Sequence, residues 1–167
     1  MSQGNAKAKT SSSVYIELAD YLLAEGEADC SRMLLEKALT CIDGDTKALF
    51  FVNFGLAELE LHKYKRFTHA RAYILKALAL EPMNALSHVV LGDVLAIGYL
   101  NFDGAAQAYN KALELEPENQ KVPARLSALG RQKFMYDIRS RGTSPWLLLG
   151  MGAVGIALYV TSRRALP

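Results

Sequence analysis

The sequence predicts an all-α protein: an antiparallel helix-pair solenoid of about three repeats plus a capping helix, followed by one C-terminal transmembrane helix. Two observations lead to this prediction. A short Ala-Leu block recurs three times through the body of the chain, and one long apolar run without charge lies near the C-terminus. No stretch alternates apolar and polar residues over a useful length, so we expect no β-sheet.

Composition narrows the class of protein. The chain has 167 residues, of which 51% are apolar, so it fits one modest domain with an appendage and is not a disordered chain. The net charge of +2 hides a split, because residues 1–119 hold 11 basic and 16 acidic side chains (−5) and residues 120–167 hold 8 and 1 (+7). The positive excess flanks the apolar run, which argues against a nucleic-acid partner. Cys30 and Cys41 are too few for a disulfide scaffold and are expected to be small buried residues in a reducing compartment.

The repeat is visible when Ala38, Ala77 and Ala112 are aligned, because each is followed by Leu in the blocks EKAL, LKAL and NKAL. Two of these blocks run into Glu-Pro, at residues 81–82 and 116–117, where proline ends a helix. The preceding helices carry small residues where two antiparallel helices must cross closely, namely Ala19, Gly55 and Gly92.

This spacing resembles the tetratricopeptide repeat, with repeats expected at 12–45, 48–84 and 85–119 after a flexible polar arm at 1–11. Repeat two has about three extra residues near residues 62–66, and repeat three has one near Tyr99. Asp43 replaces the first terminal proline, and Glu58 stands where the family usually has tyrosine. A capping helix and basic linker is expected at 120–141, starting near Pro123 and covering the third repeat with apolar residues that include Phe134.

The resemblance implies a concave groove lined by the second, fifth, ninth and twelfth positions of each first helix. The residues placed there are Ser13, Ile16, Asp20, Leu23, Leu49, Val52, Leu56, Leu59, Leu86, Val89, Asp93 and Ala96. The Lys and Asn with which relatives clamp chaperone C-termini are absent. An apolar groove with two acids suits an amphipathic helix that carries a few basic residues. Alternatively, the N-terminal arm or a permanent partner subunit covers the groove.

The basic run near the enlarged turn of repeat two is a second candidate surface. It comprises Lys63, Lys65, Arg66, His69 and Arg71. A solvated turn is the simpler interpretation, and a lipid or partner contact is the alternative.

The C-terminal run, residues 142–162, contains 21 uncharged residues, which span about 31 Å as a helix and match the hydrocarbon core of a bilayer. We therefore expect a tail anchor there, with a short basic tail at 163–167; the alternative is a buried core helix. Expected lipid-facing residues are Trp146, Leu148, Gly152, Val154, Ile156 and Tyr159, and expected headgroup contacts are Arg139, Arg141, Arg163 and Arg164.

The sequence shows no catalytic constellation, so we expect no enzyme activity, no cofactor and no metal site. His62, His69 and His88 lack partners at ligand spacing and are expected to be ordinary surface or turn residues. The GxGxxG pattern within 150–155 is no dinucleotide site, because no βαβ unit surrounds it.

A small repeat domain with a tail anchor resembles two groups of mitochondrial outer-membrane proteins. The fission adaptors are similar in Phe54-Gly55-Leu56 and in residues 116–119, and the plant-type import receptors share the architecture. The resemblance implies a non-enzymatic adaptor or receptor facing the cytosol, whose partners are proteins and a membrane, without nucleic acid or a small-molecule substrate. A structural subunit of a large membrane assembly is the alternative function. The peroxisome and the endoplasmic reticulum remain alternative locations.

Overall fold

The computed structural model describes residues 11–140, which form seven α-helices joined by turns and contain no strand. The helices are α1 (Ser11–Ala24), α2 (Ala28–Cys41), α3 (Thr46–His62), α4 (Phe67–Leu80), α5 (Ala85–Gly98), α6 (Phe102–Leu115) and α7 (Lys121–Ser140). Helices α1 and α2, α3 and α4, and α5 and α6 form antiparallel pairs, and α2–α3 and α4–α5 contacts join successive pairs. This part of the chain is the all-α helical-repeat solenoid that the sequence predicts.

The described residues divide into two compact units at the boundary between Leu126 and Ser127. The first holds the three helix pairs and the first turns of α7. The second begins within α7. Before Ser127, α7 contacts the third helix pair through Arg125, which donates to Asp93 of α5.

Two apolar clusters lie in the core of the first unit. One joins α3, α4 and α5 around Phe50, Leu61 and Ile74, and the other joins α1, α2 and α3 around Leu35 and Leu56. The aligned alanines Ala38, Ala77 and Ala112 are all completely buried. The recurring Ala-Leu blocks therefore mark the inward faces of the second helices, where only a small side chain fits.

Side-chain caps and prolines set the ends of several helices. The Asp45 carboxylate accepts hydrogen bonds of 3.0 Å from the backbone N–H groups of Lys47 and Ala48 at the start of α3. Asn84 and Asn101 cap α5 and α6 in the same way. Helices α4 and α6 end one residue before the Glu-Pro pairs, as the sequence predicts.

The small residues make close helix crossings, although one crossing differs from the expected one. A Cβ atom on Gly92 would lie 2.4 Å from the Tyr109 ring, so α5 and α6 of the third pair need glycine there. A Cβ atom on Gly55 would instead lie 3.2 Å from Leu35 of the preceding pair. Helix α3, which the Asp45 side chain caps at its start, has 17 residues, whereas α5 has 14.

The enlarged turns contain residues in the left-handed region of the backbone. Lys65 has φ of 55° in the turn between α3 and α4, and Leu100 has φ of 51° between α5 and α6. The sequence places its extra residues at these two turns. Residues other than glycine pay a steric cost in this region, because their Cβ atom is crowded there.

Helix α7 runs through Gly130 without a break. Phe134, expected on a covering face, is 59% exposed.

Candidate functional site

Three carboxylates, one from each first helix, lie close enough for the charges of two of them to act on the third. They are Asp20 on α1, Glu58 on α3 and Asp93 on α5. Burial raises the pKa of Glu58 above its usual 4.5, and the negative charges of Asp20 and Asp93 raise it further. Partial burial also raises the pKa of Asp20. We name these three residues the acidic row.

Asp93 is hydrogen-bonded and ion-paired within the fold. Its carboxylate is 7% exposed and accepts a hydrogen bond of 2.6 Å from the Tyr109 hydroxyl. Arg125, in the first turns of α7, donates from Nε to both carboxylate oxygens at 3.0 and 3.1 Å. Burial, followed by the hydrogen bond to Asp93, raises the pKa of Tyr109 far above its usual value, so this hydroxyl stays a donor. Asp93 therefore has little capacity left for a ligand.

Asp20 and Glu58 differ from Asp93 in this respect. Within residues 11–140, neither carboxylate has a hydrogen-bond donor or a cationic partner. Two neighbouring negative charges without a counter-charge are unfavourable, and this repulsion adds to the effect of burial in raising the pKa of Glu58. A cationic group placed between them would relieve this repulsion. These two carboxylates are the electrostatic part of the candidate site.

An open cleft of about 390 Å³ lies beside Glu58. Leu23 of α1 lines one side, and Leu59 and His62 of α3 line the other. Leu23 is partly exposed, so the cleft offers apolar surface next to a carboxylate.

Further exposed apolar side chains share helix faces with the acidic row. Phe51, which is 56% exposed, precedes Glu58 by seven residues on α3. Leu86 and Ile97 are also exposed, and they lie seven residues before and four residues after Asp93 on α5. Residues at these spacings lie on the same face of a helix. The face that carries the acids therefore also carries apolar contact surface.

The expected groove residues have several different environments. Asp20 and Leu86 are exposed, and Ile16 and Leu49 are half-buried. Val52 and Leu56 have no exposed surface, because they pack in the cluster that contains Leu35. Val89 and the outer expected positions Leu59 and Ala96 are also buried. The apolar contacts that the sequence assigns to Val52, Leu56 and Val89 are corrected here, because these side chains belong to the protein interior.

Glu58 is the site residue that sequence reasoning missed. Its departure from the usual tyrosine was visible, as was its spacing of seven residues from Phe51. The family spacing assigns Leu56 of α3 to the groove. The residue of α3 that interacts with Asp20 and Asp93 is instead Glu58, two positions further along the helix.

The basic run at the enlarged turn contributes two arginines to the fold. Arg66 contacts the Glu60 carboxylate at 2.6 and 2.7 Å, and Arg32 of α2 reaches the same group at 3.1 Å. Glu60 is completely buried, and both guanidinium groups lie over the Tyr64 ring. Arg71 lies over the Tyr99 ring. Lys63, Lys65 and His69 are exposed.

The other expected features have the following positions. The Cys30 thiol is exposed and that of Cys41 is partly exposed, so neither is the fully buried residue that was expected. His88 Nε2 lies 2.9 Å from the Pro82 carbonyl oxygen. Residues 11–140 hold no group of three or more His, Cys, Asp or Glu side chains arranged for a metal ion.

The expected membrane anchor at 142–162 lies outside the described residues, as do Arg141, Arg163 and Arg164. Arg139 is exposed near the end of α7. No helix within residues 11–140 combines the length and the apolar character needed to cross a membrane.

The fold is similar to solved tetratricopeptide domains, whereas the sequence matches no protein-family model and no curated protein. The first TPR domain of Spaghetti (RPAP3), solved with the HSP90 peptide SRMEEVD, has a TM-score of 0.63 at 18% identity, covering 72% of this chain and 90% of that domain. The C-terminal TPR-containing domain of an FK506-binding protein from Plasmodium falciparum has a TM-score of 0.66 at 17% identity, covering 78% and 91%. MamA from MSR-1 has a TM-score of 0.57 at 20% identity, covering 84% and 72%. These similarities show that the chain has the tetratricopeptide-repeat fold.

Proposed function

We propose that this chain is a non-enzymatic adaptor or receptor that binds helical segments of partner proteins on the face carrying the acidic row. The observation that carries the proposal is the pair Asp20 and Glu58, two carboxylates without a counter-charge among the described residues. Exposed apolar residues share this face. A partner helix with an apolar stripe and a few basic residues satisfies both parts.

The apolar contacts would supply most of the affinity. Phe51, Leu86 and Ile97 are each about half exposed or more and can be covered by a helical ligand. The carboxylates would orient the ligand and speed its association. A cation close to Glu58 would lower the pKa of its carboxyl group, so binding is coupled to release of a proton.

The charge of the site selects against the type of peptide bound by one structural neighbour. The peptide SRMEEVD on the RPAP3 domain has three acidic residues. Carboxylates at Asp20 and Glu58 would repel such a sequence, and the chain lacks the basic clamp of chaperone-binding relatives. Basic amphipathic helices are therefore the proposed ligands.

We further propose that residues 142–162 anchor the protein in the mitochondrial outer membrane with the repeats in the cytosol. The support is the run of 21 uncharged residues between Arg141 and Arg163, together with the resemblance to tail-anchored fission adaptors and import receptors.

The function is tested by titrating the detergent-solubilised full chain with a basic amphipathic presequence-like peptide. We expect Phe51→Ala and Glu58→Gln each to weaken binding, by about tenfold for the aromatic contact. Glu118→Gln and Met33→Ala, which alter an exposed acid and an exposed apolar side chain elsewhere, are the matched controls.

Two results would contradict the proposal. Unchanged affinity in both Phe51→Ala and Glu58→Gln would remove the site from this face. If neither presequence-like peptides nor outer-membrane partner segments bind, and the full chain purifies only in fixed stoichiometry with other subunits, the alternative of a structural scaffold subunit is favoured.

A further inference from the structure

The C-terminal half of α7 exposes large apolar side chains next to basic ones. Phe134 and Met135 are 59% and 52% exposed and adjacent in sequence. Scattered exposed apolar residues are normal on a protein surface, and these two are notable because of the charged side chains around them.

Two arginines flank this apolar pair on the same side of the helix. Arg131 and Arg139 are exposed and lie four residues before and four residues after Met135. With Phe134, the four positions follow the i, i+3, i+4, i+8 spacing of a single helix face. We name these four residues the α7 outer face.

The charge of the surrounding segment is strongly positive. Residues 121–141 hold six basic side chains and one acidic side chain, Asp137. The run of 21 uncharged residues starts at residue 142, two positions after α7 ends. A basic helix that directly precedes an apolar span is typical of the boundary between water and lipid.

We propose that the α7 outer face binds an anionic lipid surface, with Phe134 and Met135 entering the headgroup region and Arg131 and Arg139 contacting lipid phosphates. Charge complementarity and continuity with the uncharged run favour lipid over a protein partner or a second copy of the chain. The proposal goes beyond the proposed function, which requires only a span and a ligand site on the repeats.

The two arginines should contribute measurably to this contact. A basic residue near an anionic membrane surface contributes about 1 kcal/mol, so Arg131→Gln with Arg139→Gln should shift the docking equilibrium of the face about 30-fold. In vesicles of zwitterionic lipid without net charge, the double variant and the unaltered protein should dock equally, because no anionic lipid attracts the arginines.

The experiment uses the full chain reconstituted into vesicles. Trp146 is changed to Phe so that a single reporter can be introduced, either Phe134→Trp on the outer face or Met83→Trp, which alters an exposed residue after α4. Quenching by brominated phosphatidylcholine reports contact with acyl chains, and flotation after a high-salt wash reports the anchor separately.

In vesicles that contain phosphatidylserine, we expect strong quenching of tryptophan at position 134 and little at position 83. The double arginine variant and added salt should both reduce the quenching at position 134. Equal quenching at the two positions in vesicles that retain the protein overturns the proposal and leaves the anchor intact. A cross-link between two copies through position 134 without quenching also overturns it, in favour of self-association. If the protein does not float even at low salt, both the lipid contact and the anchor are overturned.

Discussion

The Tyr109 hydroxyl donates a hydrogen bond of 2.6 Å to the carboxylate of Asp93 on the facing helix. The preceding residue on that helix, Gly92, has no side chain and so leaves room for the Tyr109 ring. One aromatic residue thus fills the crossing of α5 and α6 and also holds the third member of the acidic row. Arg125 completes the set from α7. Asp93 is a structural carboxylate, and the ligand-binding charges are those of Asp20 and Glu58.

The first prediction concerns this hydrogen bond. Tyr109→Phe keeps the ring against Gly92 but removes the donor to a buried carboxylate, so the free energy of unfolding should fall by about 1.5–3 kcal/mol. Chemical denaturation measures the change. Tyr99→Phe is the control, because Tyr99 is exposed and phenylalanine keeps the ring over which Arg71 lies; it should have little effect on the free energy of unfolding. Equal losses in both variants would contradict a specific role for the Asp93 contact.

The second prediction concerns the close crossing itself. A methyl group at Gly92 would meet the Tyr109 ring at 2.4 Å, and the hydrogen-bonded ring has no simple way to move aside. Gly92→Ala should therefore destabilise the protein by about 1–3 kcal/mol, in spite of the better helix propensity of alanine. At Gly130 of α7 a Cβ atom would meet nothing within 4 Å, so Gly130→Ala should be neutral or stabilising by thermal denaturation.

The third prediction separates stability from binding at Glu58. Because the folded state raises the pKa of this carboxyl group, its ionised form opposes folding at neutral pH. Glu58→Gln should raise the melting temperature while it weakens binding of a basic peptide. Glu118→Gln should change neither quantity. A variant that loses stability and affinity together would show that Glu58 is a structural residue.

The fourth prediction is the pH dependence of binding. Protonation of Glu58 removes the charge that attracts a basic ligand, and its raised pKa places this protonation above pH 4.5. Affinity for a basic peptide should therefore fall as the pH is lowered toward that raised value and recover as it rises. Fluorescence titration at several pH values measures the trend, which should be flatter in Glu58→Gln.

The fifth prediction concerns the left-handed residue in the enlarged turn. Lys65 has φ of 55°, a conformation that costs a residue with a Cβ atom about 1–2 kcal/mol. Glycine avoids this steric cost, and the greater entropy that it gives the unfolded chain offsets only part of the gain. Lys65→Gly should stabilise the fold by about 0.5–1 kcal/mol. Lys63 has φ of −90°, so Lys63→Gly should be destabilising. The two variants are compared by urea denaturation, and opposite signs are the expected outcome.

The fold could be predicted because its strongest constraints are local and repeated. Ala38, Ala77 and Ala112 occupy equivalent buried positions, and the Glu-Pro pairs follow the ends of α4 and α6. Each of these signals depends only on neighbouring residues and on the close approach of paired helices. The pattern therefore identifies the helix pairs without knowledge of tertiary contacts.

The candidate site was predicted only in part, because it depends on the register of one helix. The family spacing assigns Leu56 to the groove, but in the structure Leu56 packs in the cluster that contains Leu35. Glu58 then lies between the other two acids. The ion pair of Asp93 with Arg125 joins residues 32 positions apart, a separation that no helical periodicity indicates.

The buried Glu60 carboxylate has a consequence for how the chain unfolds. Arg32 of the first helix pair and Arg66 beside the second pair bind the same group, so opening the first pair alone would take away one of its two counter-charges. Removing one partner from a buried ion pair costs on the order of 3–5 kcal/mol. Repeat arrays without such a link between neighbouring repeats can unfold one repeat at a time from their ends. The first two helix pairs should therefore exchange their amide hydrogens as one cooperative block, so that the array frays in steps larger than a single repeat.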